Sequence, residues 1–335
     1  SFAALYAKES TPERVRAAEP LGFDGRLWEQ LVGAGVLSMA VPEAGGGWGA
    51  SLLDLELVAE QHGRALGSAP LLETQVACRL LAGAGAPAAT ILDDALAGRR
   101  LVTLSPRPPR DGVARLVPAG AVATDLIVLE QGSLKVVPVG QDRCVPANVG
   151  SMPLADVPLA ASAGGGTLIS QGEAAARLCE SALDEWLVLT AAALVGIAGR
   201  SVEIGVAYAG EREAFGQKIG GFQAVGHRLA DCATNADGAR LLAREAAWSF
   251  DEEPSRSAEL AAMAFAFAAV SARTASDWSL HFHGGYGFML EYDIQLYYRR
   301  ARAWANVLMS PAAARRRVAD LRYGPRTSRA AGAWR

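Results

Sequence analysis

The segment Arg212 to Asp231 reads REAFGQKIGGFQAVGHRLAD, and it holds residue types suited to gripping an anion. Arg212 offers a planar fork of donors that matches a phosphate oxygen. Gly216, Gly220 and Gly221 let the backbone come close to a ligand. The segment opens a helix, whose first turn adds free N–H groups and the positive end of the helix dipole. A Gly-rich interhelical turn with a surface arginine would read the same way, so spacing alone leaves both open. A second cluster, HFHGGYG, runs from His281 to Gly287 at the end of another helical pattern. Gly284 and Gly285 either cap that helix or leave room for a pyrophosphate. His281 and His283 stand at i and i+2, which do not share a helix face, so no metal pair is expected.

Loops of this kind need rigid helices on either side. Ala174 to Ala209 carries one long apolar pattern through Leu183, Leu187, Leu194 and Ala198. Gly221 to Phe250 predicts a second helix with Val225, Leu229, Cys232 and Ala236 facing inward. Ala258 to Gly284, Tyr292 to Trp304 and Ala312 to Leu321 predict three more. Upstream, Leu101 to about Ser170 has a different texture, rich in Val, Pro and Gly. There, Leu126 to Gly140 (LIVLEQGSLKVVPVG) has two apolar runs around a Gly-containing turn, which predicts a hairpin. Ala161 to Thr167 (ASAGGGT) predicts a flexible turn. Before that, helical patterns alternate with Gly and Pro. Phe23 to Val36 places Leu27, Leu31 and Val32 on one face behind Asp24 as N-cap, and Val41 to Gly49 (VPEAGGGWG) must be a turn. Leu52 to Leu66 and Ala89 to Leu96 are further helical stretches. The expected fold is mainly α with a small central β domain. Its parts are an N-terminal helical domain (1–100), a shortened β domain (101–172), a C-terminal helical bundle (173–325) and a tail (326–335).

The bulk properties narrow the function. The chain has 335 residues, a net charge of −3 and a pI near 5.9, which argues against nucleic-acid binding. Arginines gather only at the end, at Arg315, Arg316, Arg317, Arg322, Arg326, Arg329 and Arg335, as on a solvated last helix with a frayed tail. The four cysteines, Cys78, Cys144, Cys179 and Cys232, are scattered without zinc spacing and fit a reducing compartment. The first residues hold no apolar signal-peptide core. The run Leu187 to Ile197, broken by Thr190 and Gly196, is too short to span a membrane. A cytoplasmic location is expected.

Taken together, R-x-x-F-G-x-x-I-x-x-F-Q-x-x-x-H-x-L-A-D followed by H-G-G-x-G-F-x-x-E resembles the acyl-CoA dehydrogenase family. So does the N-terminal stretch from Phe23 to Thr74 with its V-P-E-x-x-G-G-x-G turn. The resemblance covers nearly the whole chain apart from the middle. It implies that Arg212, Phe215, Gln223, Gly284 and Gly285 reach across a dimer interface to the pyrophosphate and adenine end of an FAD held mainly by a neighbouring subunit. The family usually has Gln three residues before the Gly pair. Here His281 stands there, and an imidazole still donates one hydrogen bond. The implied reaction is α,β-dehydrogenation of an acyl-CoA thioester, in which a Glu removes the α-proton and the flavin accepts the hydride.

The chain departs from the family where that chemistry happens. One usual position of the base falls on Leu308 and the other on Trp186, with Leu187 where a CoA-contacting Arg often stands. Asp184 and Glu185 are close by, but a step of one residue turns a helix by about 100°, and both read as solvated charges favoured by the dipole at the helix start. The loop that lines the flavin ring in the family, T-E-P-x-x-G-S-D, is replaced by TLSPRPPRD at Thr103 to Asp111. The arm that grips a neighbour's FAD is therefore matched, and the ring pocket is not. No catalytic residue is assigned. The leading expectation is a subunit of a hetero-oligomer whose second acyl-CoA dehydrogenase-like subunit supplies the base. The alternatives are a homo-oligomeric FAD enzyme with a relocated base, and a non-catalytic scaffold on the same fold.

Overall fold

The computed structural model describes residues 1–159 and 166–324. Residues 161–165 of the expected ASAGGGT turn and the expected tail 326–335 lie outside that set. Seven helices come first: α1 (Phe2–Glu9), α2 (Pro12–Ala17), α3 (Gly25–Gly33), α4 (Val36–Ala40), α5 (Leu52–Arg64), α6 (Leu71–Ala84) and α7 (Ala89–Leu96). Six strands follow: β1 (Val102–Leu104), β2 (Val113–Val117), β3 (Asp125–Glu130), β4 (Ser133–Pro138), β5 (Ala155–Pro158) and β6 (Thr167–Gln171). Then come α8 (Gly172–Glu211), the short hairpin β7 (Glu213–Ala214) and β8 (Gln217–Lys218), α9 (Gln223–Glu252), α10 (Pro254–His283), α11 (Ile294–Trp304) and α12 (Pro311–Tyr323).

Local chemistry accounts for many of the boundaries. The Asp24 carboxylate accepts hydrogen bonds from the N–H groups of Arg26 and Leu27 at 3.0 and 3.1 Å, which starts α3. The helix expected over Phe23 to Val36 is in fact split. Gly35 takes a left-handed φ of 77°, and the chain restarts as α4. Ser51 and Asp54 form a reciprocal capping box at the start of α5. The expected hairpin is β3–β4, with Asp125 opposite Pro138 and Glu130 opposite Ser133. Gln131 and Gly132 both have positive φ, 49° and 74°, as a two-residue turn matched to strand twist requires. These strands belong to a sheet of order β1-β3-β4-β6 in which only the β1–β3 pair is parallel, and β2 pairs with β5 beside it.

The axis of the molecule is α8, 40 residues long. Every side chain from Asp184 to Ala198 is buried, so this helix is apolar all round rather than amphipathic. By length and composition α8 and the α10 segment could each cross a membrane. However, 78% and 61% of their apolar windows are covered by the rest of the chain, which makes them core helices. Gly63 of α5 and Gly196 of α8 allow these two helices to touch backbone to backbone. A Cβ on Gly63 would lie 1.8 Å from the Ala193 carbonyl oxygen, and one on Gly196 would lie 2.1 Å from that of Glu60.

The packing overturns one expectation. Asp184 and Glu185 are not solvated; they are 6% and 9% exposed. Asp184 pairs with Arg317 of α12 at 2.6 Å and Glu185 with Arg79 of α6 at 2.7 Å. The helix start explained their charge, but the packing of α6 and α12 against it decided their surroundings. Burial, set against the attraction of Arg317, pushes the Asp184 carboxyl up to about 6. Arg317 is thus a structural partner rather than part of a solvated cationic face.

A second buried acid gives a prediction. Glu56 on α5 is fully buried, with Arg244 of α9 at 3.9 Å. Burial, with a smaller push from Glu60, raises its carboxyl to about 7. A folded-state pKa above the unfolded value means that the folded chain binds the extra proton. This group's contribution to stability is therefore present at low pH and is lost as pH rises from the ordinary carboxylate range through about 7. Glu56→Gln is expected to be more stable than the natural chain at pH 8, by about 1–3 kcal/mol, and to flatten that decline. Urea melts at pH 5 and pH 8 check this, and an equal change at both pH values would refute it.

Candidate functional site

The end of α8 builds the first half of the candidate site. The Arg212 N–H donates to the Tyr208 carbonyl at 2.9 Å, and the Arg212 carbonyl accepts from the Ile219 N–H at 2.9 Å. Between them runs the β7–β8 hairpin, whose turn residues Phe215 and Gly216 have φ values of 52° and 80°. This geometry thrusts Phe215 outward; it is 96% exposed and meets Phe222 edge-on at 6.2 Å. Arg212 is exposed, and among the described residues its guanidinium makes no hydrogen bond or ion pair. Gln223 opens α9, is exposed, and has no side-chain cap before it, so the N-terminus of α9 faces outward beside the hairpin.

The second half is the end of α10. Gly284 takes φ 60° and stops the helix, and a short 3-10 turn spans Gly284–Phe288. Among the described residues, a Cβ at Gly284 or Gly285 would meet no atom within 4 Å beyond its own chain neighbours. The positive φ at Gly284 itself calls for glycine, whereas no neighbouring side chain among the described residues demands a small residue at Gly285, and the open side of the pair faces out. His281 is exposed and lies edge-on to Trp278 at 5.5 Å.

The structure brings these halves together at one end of the bundle. His283 is buried, donates from Nδ1 to the Ser279 carbonyl at 2.7 Å, and stacks on Tyr208 with ring centroids 3.9 Å apart. Tyr292 closes edge-on against both rings. Tyr208 lies one helical turn before Arg212, so this aromatic cluster pins the Gly284–Gly285 turn to the end of α8. Sequence reasoning noticed His283 only as a poor metal ligand and missed Tyr208. The one available signal was His283's place directly before the Gly pair. Around the arm Tyr286, Phe288, Met289 and Leu290 are exposed, Leu290 by 74%, which is the texture of a surface meant to be covered.

The positions of the expected base lie elsewhere, inside the fold. Trp186 is 1% exposed, Leu187 0% and Leu308 6%. None of the three can take a proton. Arg107, from the TLSPRPPRD loop, donates from Nη2 to the carbonyls of Val307 and Leu308 at 3.1 Å each. It thus ties the β layer to the segment that holds Leu308. Pro106, Pro108 and Pro109 in that loop have no N–H to offer a ligand. Beside it a groove of about 380 Å³ runs between the strands and α11, with Arg107, Arg299 and Arg302 on its walls and Met152, Leu154 and Val307 among its apolar residues. Among the described residues no group of three or more His, Cys, Asp or Glu is placed to hold a metal ion. Among the described residues, the arm's polar groups therefore face outward, while the two positions expected for the base are buried apolar side chains.

The chain matches two family descriptions, "Acyl-CoA dehydrogenase, N-terminal domain" over residues 1–90 and "Acyl-CoA dehydrogenase, C-terminal domain" over residues 176–305. It is 32% identical over 321 residues to acyl-CoA dehydrogenase IpdE2 of Mycolicibacterium smegmatis, covering 95% of each chain. It is 31% identical to acyl-CoA dehydrogenase FadE27 of Mycobacterium tuberculosis, covering 87% of each. Among solved structures it is similar to the ChsE4-ChsE5 complex from Mycobacterium tuberculosis, with a TM-score of 0.84, 26% identity and 97% and 96% of the two chains covered. A variant of the Tcur3481-Tcur3483 steroid ACAD gives a TM-score of 0.82 at 26% identity, with 96% and 95% covered. With the mainly helical architecture and its small sheet in place, the chain belongs to the acyl-CoA dehydrogenase family.

Proposed function

We propose that this chain is one subunit of a heteromeric acyl-CoA dehydrogenase, in which it holds the pyrophosphate and adenine end of an FAD whose ring lies in a partner's site. When bound, FAD supplies the hydride acceptor for α,β-dehydrogenation of an acyl-CoA thioester. Arg212 would donate to a phosphate oxygen, and the N-terminus of α9 at Gln223 would add its dipole. Gly284 and Gly285 would let the ligand approach the backbone, His281 would donate one hydrogen bond, and Phe215 would cover the cofactor's apolar face. The observation that carries this reading is the pairing of an unpartnered, outward arm with an interior whose two expected base positions are a buried Trp and a buried Leu. The two-component names of the similar solved proteins, ChsE4-ChsE5 and Tcur3481-Tcur3483, support a second acyl-CoA dehydrogenase-like subunit.

The deciding experiment is purification alone and together with a longer relative that has an intact Glu, followed by a flavin spectrum and stoichiometry. The complex is expected to be yellow and to bury more than about 2,000 Å² between unlike subunits. A chain that stays monomeric in both preparations would refute the proposal. Within the complex, Arg212→Ala is expected to weaken FAD retention about ten- to a hundredfold, since one charge-assisted contact contributes roughly 1.5–3 kcal/mol. Unchanged flavin affinity in that variant would remove Arg212 from the site.

A further inference from the structure

Arg300 lies on α11 between two arginines that are both paired. Arg299 Nη2 meets Glu19 at 2.7 Å, and Arg302 Nη2 meets Asp277 at 2.5 Å. Arg300 is different. It is 3% exposed, and among the described residues no carboxylate lies within ion-pair distance. Its only hydrogen bonds are long, 3.4 Å from Nη1 to the Leu66 carbonyl and 3.3 Å from Nη2 to Ser68 Oγ. Among the described residues, no acceptor reaches its Nε. A buried guanidinium that is neither paired nor fully hydrogen-bonded is costly, and natural cores compensate such charges.

Arg300 lines a cavity of about 40 Å³, together with His62, Gly67, Glu73, Ser151, Trp186 and Thr190 among others. That volume has room for about two or three water-sized occupants, so only a compact group, free or at the end of a longer molecule, could enter it. Thr190 supplies a second unsatisfied group, since its buried hydroxyl also has no partner. The titratable side chains on the wall are Arg300, His62 and Glu73, and the Glu19 carboxylate, the Arg299 guanidinium and the Tyr297 hydroxyl act on Arg300 from beyond it. His62 is hydrogen-bonded to Tyr6 at 2.9 Å and stacked on Trp304, and burial holds its pKa down to about 3, so it is neutral under ordinary conditions. Burial pushes the Glu73 carboxyl up to about 7. Arg300 thus brings positive charge to the cavity wall, and Glu73 opposes it as its carboxyl ionises with rising pH.

We infer that this cavity is a binding site for a compact monoanion, a halide or a carboxylate group, held by Arg300 with the Thr190 hydroxyl as a second donor. The inference stands apart from the flavin arm, which lies at the end of α8 and α10. Two sources share the chemistry: a free ion, or a carboxylate carried on a short acyl thioester.

Bromide and formate serve as probes on the full chain, with gluconate at equal ionic strength as the control that is too large to enter. At pH 6, bromide or formate at about ten times its half-saturating concentration is expected to raise Tm by about 2 °C or more over gluconate, with saturation. Arg300→Met is expected to abolish the difference. Glu73→Gln is expected to preserve the effect at pH 8, where the natural chain loses most of it. That second variant keeps the test decisive should Arg300→Met fail to fold. Crystals grown with bromide are expected to show an anomalous peak within hydrogen-bonding reach of Arg300. Displacement of that bromide by succinyl-CoA would assign the site to an acyl carboxylate, and its persistence would assign it to the free ion. Equal melting curves in bromide, formate and gluconate, or a bromide effect that survives Arg300→Met, would overturn the inference.

Discussion

Given excess FAD and an acyl-CoA, the purified chain by itself is expected to produce no dehydrogenation above background, while the complex with a Glu-bearing partner turns over. A positioned general base contributes about 10²–10⁴ in rate, so a chain without one would turn over at background. Trp186 and Leu308 occupy the two expected positions, both buried and both unable to accept a proton. The adjacent carboxylates are engaged: Asp184 with Arg317 at 2.6 Å and Glu185 with Arg79 at 2.7 Å. Freeing either would leave a buried carboxylate without its arginine partner, which is costly. Stopped-flow bleaching of the flavin with the isolated chain checks the expectation. Turnover comparable to that of the complex, lost in Glu185→Gln or Asp184→Asn, would show that one of these ion pairs opens to form a relocated base.

Trp186→Ala is expected to destabilise the chain by about 3–5 kcal/mol. Trp186 is among the largest fully buried side chains, 1% exposed on the fully buried stretch of α8, and it borders the 40 Å³ cavity. Removing the indole would enlarge that cavity among close-packed neighbours that relax only partly, so lost transfer energy and cavity cost add together. The urea midpoint is expected to fall with the slope unchanged, which marks a change in stability rather than in the surface exposed on unfolding. A loss under about 1 kcal/mol would mean that the core around α8 collapses readily to fill the space. In that case Trp186 would not be the rigid filling of the expected base position.

The amino-acid sequence by itself determined the long elements. An apolar pattern sustained over many turns can only be a helix, and α8 at Gly172–Glu211 lies within two residues of the expected Ala174 to Ala209. The β3–β4 hairpin was legible because Gln-Gly sits between two apolar runs, and the start of α3 because Asp24 caps its own helix. The Arg212 segment was legible as a loop between two long helices, and the Gly284–Gly285 pair as a candidate stop for α10, where the structure ends that helix. The break at Gly35 was less visible, because a single glycine is tolerated in many helices and only its positive φ decides.

Tertiary structure alone decided everything that depends on which elements meet. Asp184 and Glu185 looked like helix-start charges until α12 and α6 brought Arg317 and Arg79 against them. His283 looked like half of a poor metal pair until its stacking on Tyr208, many residues away in sequence, made it the pin between two loops. Arg300 is one of six arginines from Arg299 to Arg317 that could equally have been solvated or paired, and only the fold buried it with no carboxylate within ion-pair distance among the described residues. The physical reason is common to all three. Periodicity and capping act within a few residues of backbone, whereas desolvation and charge pairing depend on the distances between side chains that only the packed chain sets.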